Sequence, residues 1–439
     1  MQDPDTVHRV LQIRSFLIVA TWACLPTLSL AQSSSRDVAT EPNQQSELPP
    51  IETEAKEPLK FLAGTRFIIK PRAYYMDRDR DKNQDNVGFA LGGAVQYLSG
   101  WAFDRLQLRA TGYTSQDIYG PSDKDGTQLF LPGPEGFTVL GEANAVFRFT
   151  DNDVLRAGAQ LFELPYLGSH DNRMVPNTFE AIAIGNASPK GLAYIAAYVD
   201  KIKKKDSDEF IPMSEAAGVT NGKDGVAMAG ARYVFDDGLE IVAIDQHTTD
   251  VFNTLFAKIE REFPLANDRS LKTGLQYTDQ RSVGDELIGG FETGLFAARV
   301  EYEFGNATLR LGASTTGSEK GIQKPYGNPA NYLGVIIENF DRAGEDAWLI
   351  GGNYNFQRVG PGDLSLFANI VSGNTPDTGP NASPDETEYD VTVDYRVKEG
   401  AAKNLWVRLR LGYLDQKEAT GGDDVLDVRL IVNWDFNLR

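Results

Sequence analysis

The chain has 439 residues, a formal net charge of −19 and 41% hydrophobic residues, with a mean hydropathy of −0.33. That acidic balance excludes a general nucleic-acid binder, which needs a basic surface. Beyond the first 31 residues there is no apolar run of the roughly 18 residues a membrane-crossing helix needs. A barrel remains open, because barrel strands hide their hydrophobicity by alternating it.

The chain begins like an address label. Arg9 and Arg14 are followed by an apolar core from Ser15 to Leu30, and Ser29-Leu30-Ala31 places small residues before a cleavage point. Residues 1–31 are therefore expected to be a secretory signal peptide. The sole cysteine, Cys24, lies inside it, so the cleaved chain has neither disulfides nor Cys-ligated metal. Residues 32–60 are rich in Ser, Gln, Glu and Pro and are expected to form a flexible periplasmic segment.

From Phe61 onward the pattern is that of strands, whose side chains alternate faces with period two. In the first, Phe67, Ile69, Ala73 and Tyr75 share one face; Arg66, Lys70, Arg72, Tyr74 and Arg78 share the other. Pro71 lacks an amide hydrogen, which predicts a local irregularity. The second strand points Phe89, Leu91, Val95 and Tyr97 outward. A tight turn at Ser99-Gly100 is expected before a third, in which Leu106, Leu108 and Ala110 alternate with Arg105, Gln107 and Arg109. Thereafter short turns such as Asp236-Asp237-Gly238 and Gly305-Asn306 alternate with long polar connections such as Leu164 to Asn177 and Gly317 to Glu345. Brief turns on one side and long loops on the other predict an all-β, transmembrane antiparallel barrel of about 18 strands. The segment 61–439 is assigned to it, with lipid outside and a cationic lumen inside. Leu405, Val407, Leu409 and Leu411 alternate with Trp406, Arg408 and Arg410, and the last strand runs from Leu426 to Leu438 in clean alternation.

The chemistry-bearing residues are the inward cations. Strands one, sixteen, seventeen and eighteen become neighbours when a barrel closes, so Lys70, Arg72, Arg78, Arg396, Arg408, Arg410 and Arg429 are expected on one wall. A guanidinium can grip a carboxylate with two parallel hydrogen bonds, and a series of such groups gives an anion weak, successive sites. Some are expected to pair with lumen acids such as Asp394, Asp427 and Glu301. Catalysis has little support: of three histidines, His8 lies in the leader and only His170 and His247 remain, with no HExxH, GxSxG or phosphate loop. Asp77, Asp79 and Asp81 imitate a calcium loop, but Lys82 and Gly88 stand where Gly and Glu are required. No catalytic residue, metal set or cofactor is assigned.

Several segments in order resemble the OprD-type outer-membrane porins: Arg72-Ala73-Tyr74-Tyr75-Met76-Asp77-Arg78-Asp79, Ser169 to Thr178, Gly344 to Trp348, Ala402 to Leu405 and Val428 to Val432. The resemblance implies an 18-stranded barrel for small carboxylate-bearing solutes such as organic and amino acids. It also implies a third loop folded into the pore as the constriction, with Ser169, Asp171, Asn172, Arg173, Pro176 and Asn177 in it. Asp394 stands where another ladder base is expected, and Arg439 where the family ends in a hydrophobic residue. The expected setting is a Gram-negative outer membrane. Expected partners are small carboxylate solutes, outer-membrane lipid and lipopolysaccharide, and the barrel-assembly machinery, with the chain a monomer or weak trimer. Competing readings are an oligosaccharide porin, suggested by lumen-facing Tyr74 and Trp406, an outer-membrane enzyme, and a plugged structural barrel.

Overall fold

The computed structural model describes residues 61–62 and 64–438. The expected signal peptide, the following segment to residue 60, and Arg439 lie outside the described residues. Eighteen antiparallel strands close on themselves. The first six are β1 (Arg66–Arg80), β2 (Asn86–Leu98), β3 (Leu106–Tyr119), β4 (Phe137–Arg148), β5 (Asp153–Gln160) and β6 (Thr178–Asn186). Next come β7 (Gly191–Lys203), β8 (Val226–Val234), β9 (Leu239–Thr248), β10 (Phe252–Leu265), β11 (Arg269–Ser282) and β12 (Glu292–Phe304). The circuit ends with β13 (Ala307–Thr316), β14 (Asp346–Val359), β15 (Gly362–Asn374), β16 (Glu386–Val397), β17 (Leu405–Gln416) and β18 (Val425–Trp434). Each strand pairs with its sequence neighbour, and β18 returns to β1 from Arg80↔Val425 to Arg72↔Asn433. Closure leaves no open edge, so the backbone hydrogen bonds are satisfied within the wall.

The alternation sets the faces. Leu91, Val95, Leu108, Ile241, Leu255, Ile350, Leu409 and Leu430 stand exposed on the outside. At the turn end the outer face carries aromatic pairs, including Phe147–Phe149, Tyr233–Phe235, Tyr354–Phe356 and Trp434–Phe436, with centroids 4.4 to 4.9 Å apart. Such amphipathic rings mark the level of a membrane interface.

Pro71 does interrupt the ladder, but on the closing side. The β1–β2 register runs unbroken through Pro71↔Gly93. Pairing with the last strand lapses opposite Pro71 and Lys70, at Trp434 and Asp435, and resumes as Phe436–Leu438 alongside Phe67–Ile69. Gly93 sits at φ +129, and a side chain there would strike the carbonyl of Lys70 at 2.0 Å. Two expectations need correction. The β2–β3 connection is not a two-residue turn at Ser99-Gly100. It spans residues 99–105, because Leu106 turns back on Ala102 to close a small bridge. The alternation of connection lengths also fails once at the loop end, where only residues 249–251 join β9 to β10.

The core lies inside the barrel. Residues 161–177 (L3) and 317–345 (L7) fold into the lumen and pack Phe162, Leu164, Tyr166, Leu167, Tyr326, Leu333 and Phe340 against apolar inward residues of β6 to β15, such as Phe179, Val242, Phe256, Leu295 and Leu349. A smaller cluster joins Met174 and Val175 of L3 to Tyr74 and Met76 of β1, with Leu129 and Phe130 of the connection 120–136. Burying side chains of this kind is worth about 1.5–3 kcal/mol each, enough to hold the loops inside.

Candidate functional site

Strand register stacks the inward residues of β1, β18, β17 and β16 into rows. From the loop end, the first row is Arg78, Asp427, Gly412 and Asp390; the second is Met76, Arg429, Arg410 and Thr392. The third is Tyr74, Ile431, Arg408 and Asp394; the fourth is Arg72, Asn433, Trp406 and Arg396. Lys70 lies one step further down β1. All seven cations of the expected wall therefore share the lumen face, within four adjacent strands.

Their surroundings differ. Arg408 is 4% exposed and grips Asp394 with two hydrogen bonds of 2.6 Å. Arg429 is 2% exposed, donates to Asp427 at 2.6 and 3.0 Å, and donates to the carbonyl of Ile336 at 2.8 Å. Arg78 shares Asp427 at 2.7 Å. As rungs open to a solute, Arg408 and Arg429 need correction: buried charges are stable only when paired, both are spent on their acids, and L7 also holds Arg429. Arg396 and Lys70 remain exposed and Arg410 half-buried. Arg396 and Arg408 both lie over the Trp406 ring, at 4.8 and 4.7 Å from its centroid.

L3 reaches this wall through its tip. The Asp171 carboxylate accepts from both terminal nitrogens of Arg72, at 2.5 and 3.0 Å, while Arg72 Nε donates to Asn433 at 2.7 Å. The Asp171 side chain stays 42% exposed and that of Arg72 19%, so this pair stands at open space. Tyr74 Oη donates to the Asn172 carbonyl at 3.1 Å. Arg173 is buried and donates to the carbonyls of Thr127 and Asn172. Burial and the neighbouring Arg429 push its guanidinium down to about 10. Ser169, Pro176 and Asn177 are structural: Asn177 N–H donates to the Ser169 carbonyl, the Pro176 carbonyl accepts from Lys203, and Asn177 Oδ1 accepts from Lys205 N–H.

Behind the tip is a closed ring of hydrogen bonds. Lys205 Nζ donates to Asn172 Oδ1 at 2.8 Å, and Asn172 Nδ2 donates to His170 Nε2 at 3.0 Å. The ring closes between His170 Nδ1 and Lys205 Nζ at 3.2 Å. Because Nε2 accepts, a neutral imidazole carries its proton on Nδ1 and must donate it to an unprotonated amine. Burial, reinforced by adjacent cations, pushes the two groups the same way: His170 down to about 2, and Lys205 well below the usual lysine range. The ring joins L3 to the connection 204–225. L7 joins through Asn328, whose Oδ1 accepts from His170 N–H at 2.9 Å.

Sequence reasoning missed L7. The main-chain amides of Ile337 and Glu338 donate to Glu388 at 2.7 and 2.9 Å, and Arg429 holds the Ile336 carbonyl. A signal was present: Glu386, Glu388, Asp390 and Asp394 recur at even positions on the inward face of β16, directly beside the arginines of β17.

A family model described as outer membrane porin, OprD family, matches residues 59–438. The chain belongs to the OprD family. Solved structures agree in fold. OccK9 (OpdG) of Pseudomonas aeruginosa superposes with a TM-score of 0.78 at 21% identity, covering 86% of this chain and 100% of that one. OpdK of the same organism, crystallised with vanillate, gives 0.75 at 22%, and a BenF-like porin from Pseudomonas fluorescens Pf-5 gives 0.77 at 20%, each with the same coverages. No curated protein matches in sequence. As an OprD-family porin, the barrel is a channel of the Gram-negative outer membrane that passes small solutes, with the turn end periplasmic and the long loops extracellular.

Proposed function

We propose that this porin carries small carboxylate-bearing solutes passively inward, along the wall formed by Arg78, Arg410, Arg72, Arg396 and Lys70. The observation that carries this reading is the Arg72–Asp171 pair: at the constriction the protein holds a carboxylate of its own, bidentate and partly open to solvent. A solute carboxylate competes with Asp171 for the same donor geometry. Arg408 and Arg429, fixed in ion pairs, act through the field of the wall and by holding its neighbours. The vanillate bound to OpdK is a small aromatic carboxylate, which supports the same solute class here.

The oligosaccharide reading loses support, because Trp406 is engaged by two guanidinium groups and the Tyr74 hydroxyl by L3. A hydrolytic role for His170 does too, because both its ring nitrogens are bonded to Asn172 and Lys205. The plugged-barrel reading is tested by conductance in planar bilayers. Export through the cleaved leader, with Gln32 starting the mature chain, is part of the proposal, and N-terminal sequencing of membrane-extracted protein checks it. A proteoliposome panel of organic acids, amino acids and neutral sugars tests the solute class. Carboxylates should enter faster than sugars of equal size, and the reverse order ends the proposal.

A further inference from the structure

Away from the basic wall, Arg299 and Arg310 face inward but are spent on Glu260 and Glu301, whereas a further inward cation is not. Arg156 lies on β5 with its side chain inward, opposite Val146 of β4 and Ala183 of β6. Among the described residues it makes no hydrogen bond or ion pair, and its Nε is buried without a partner. Two charged neighbours act on it. Glu142 attracts it, but that carboxylate accepts from the Tyr113 hydroxyl at 2.8 Å, and Arg109 adds a like charge. A half-buried guanidinium with no acid is costly to keep.

Arg156 opens on a small groove beneath L3, on the periplasmic side of the constriction, which encloses about 60 Å³ and is half open to the lumen, so an occupant extends from it into the lumen. Its other walls are largely apolar, with Val154, Phe162, Leu164, Ala183 and Ile195 among them. The one lining carboxyl, Glu163, is occupied by Asn328 Nδ2 at 3.0 Å, and burial raises it above the usual carboxylate range. Gln160 spends its amide on the carbonyls of Gly158 and Ala181. The groove thus combines one uncommitted cationic head with an apolar body, the complement of a carboxylate on a hydrophobic frame.

We propose that this groove is an exit-side subsite for small carboxylates with an apolar body, in which Arg156 takes the carboxylate and the Phe162–Leu164–Ala183–Ile195 wall takes the frame. The proposal rests on the carboxylate reading above and adds a position and a preference to it. A solute leaving the constriction would pause here, which makes benzoate a better occupant than acetate.

The test uses the full barrel in oriented planar bilayers, with benzoate or acetate added on the periplasmic side and current block recorded. Arg156→Gln leaves no orphaned acid, so it should still migrate as a folded barrel on a gel. It should weaken periplasmic benzoate block by about tenfold, the loss expected for one charge-assisted contact. Acetate block should change much less, and Arg156→Lys should recover part of the benzoate effect. Unchanged benzoate block in a folded Arg156→Gln barrel overturns the subsite, as does an equal loss for acetate and benzoate. A wild-type barrel that neither admits nor is blocked by any carboxylate overturns the parent reading instead, so the two failures are distinguishable.

Discussion

The lumen has two unlike halves. Along β6 to β15 it is filled mostly by apolar contacts, with Tyr166, Tyr326, Leu333 and Phe340 of L3 and L7 sealed against the wall, and its acids and bases are paired among themselves, as in the buried cluster of Glu260, Arg299, Glu301 and Arg310. Along β16, β17, β18 and β1 it is lined largely by acids and bases, and the same two loops touch it mainly through polar contacts, Asp171 on Arg72, Ile337 and Glu338 on Glu388, and Ile336 on Arg429, with Met174 and Val175 on Tyr74 and Met76 as the apolar exception. The apolar half is where the loops are anchored, because most of that contact is apolar and its polar groups, such as Tyr332 on Glu260 and Gln276 on the Ala330 carbonyl, are paired. The charged half is where a solute is met. A loop seated by hydrophobic contact can hold a carboxylate such as Asp171 at a fixed place without being bound wholly by it.

This division can be broken from either side. The largest effect should come from Arg408→Leu, which leaves Asp394 buried and unpaired and should cost about 3–5 kcal/mol. Denaturant unfolding of the refolded barrel measures it, and Arg408→Leu with Asp394→Leu should recover most of the loss. On the apolar side, Leu333→Ala at a fully buried position should cost about 2–5 kcal/mol, spent locally on the seat of L7. It should appear as noisier single-channel current with little change in anion preference. Arg410→Gln should do the opposite. Stability should stay within roughly 0.5 kcal/mol, while carboxylate uptake in proteoliposomes falls severalfold and neutral-solute uptake holds. The smallest effect is on pH. His170 and Lys205 both have depressed values in the folded loop; at Lys205 the unfolded loop binds the extra proton already below about pH 10.4, the ordinary lysine value, while at His170 it does so below about pH 6.5, the ordinary histidine value. His170 therefore favours the seated L3 fully above that pH and progressively less as pH falls toward 2. Current noise should rise between pH 6.5 and 4, and His170→Asn should remove most of that dependence.

Alternation is why so much of the fold was legible. Leu409 and Arg410 fall on opposite faces because adjacent strand residues must, and the same rule placed Lys70, Arg72 and Arg78 on one side and Phe67 and Tyr75 on the other. Alternation assigns a face and stops there. It does not say that Arg408 is spent on Asp394 while Arg410, two residues on, sits in the row of Arg429. Pairing depends on cross-strand register, which only closure fixes. The loops were less legible still. Lys205 and Asn328 meet His170 from segments 35 and 158 residues away with no periodic pattern to announce them. The acidic stripe of β16 was visible at period two, but its use as a seat for L7 depends on where a 29-residue connection (317–345) folds.

The central claim is that the channel favours a carboxylate for its charge rather than its size. The direct measurement is the initial uptake rate of benzoate against benzamide, which is nearly the same size, in proteoliposomes containing the purified barrel. Benzoate entering severalfold faster, with that advantage shrinking in Arg72→Gln, is the predicted result. Equal rates, or faster benzamide, would contradict the account.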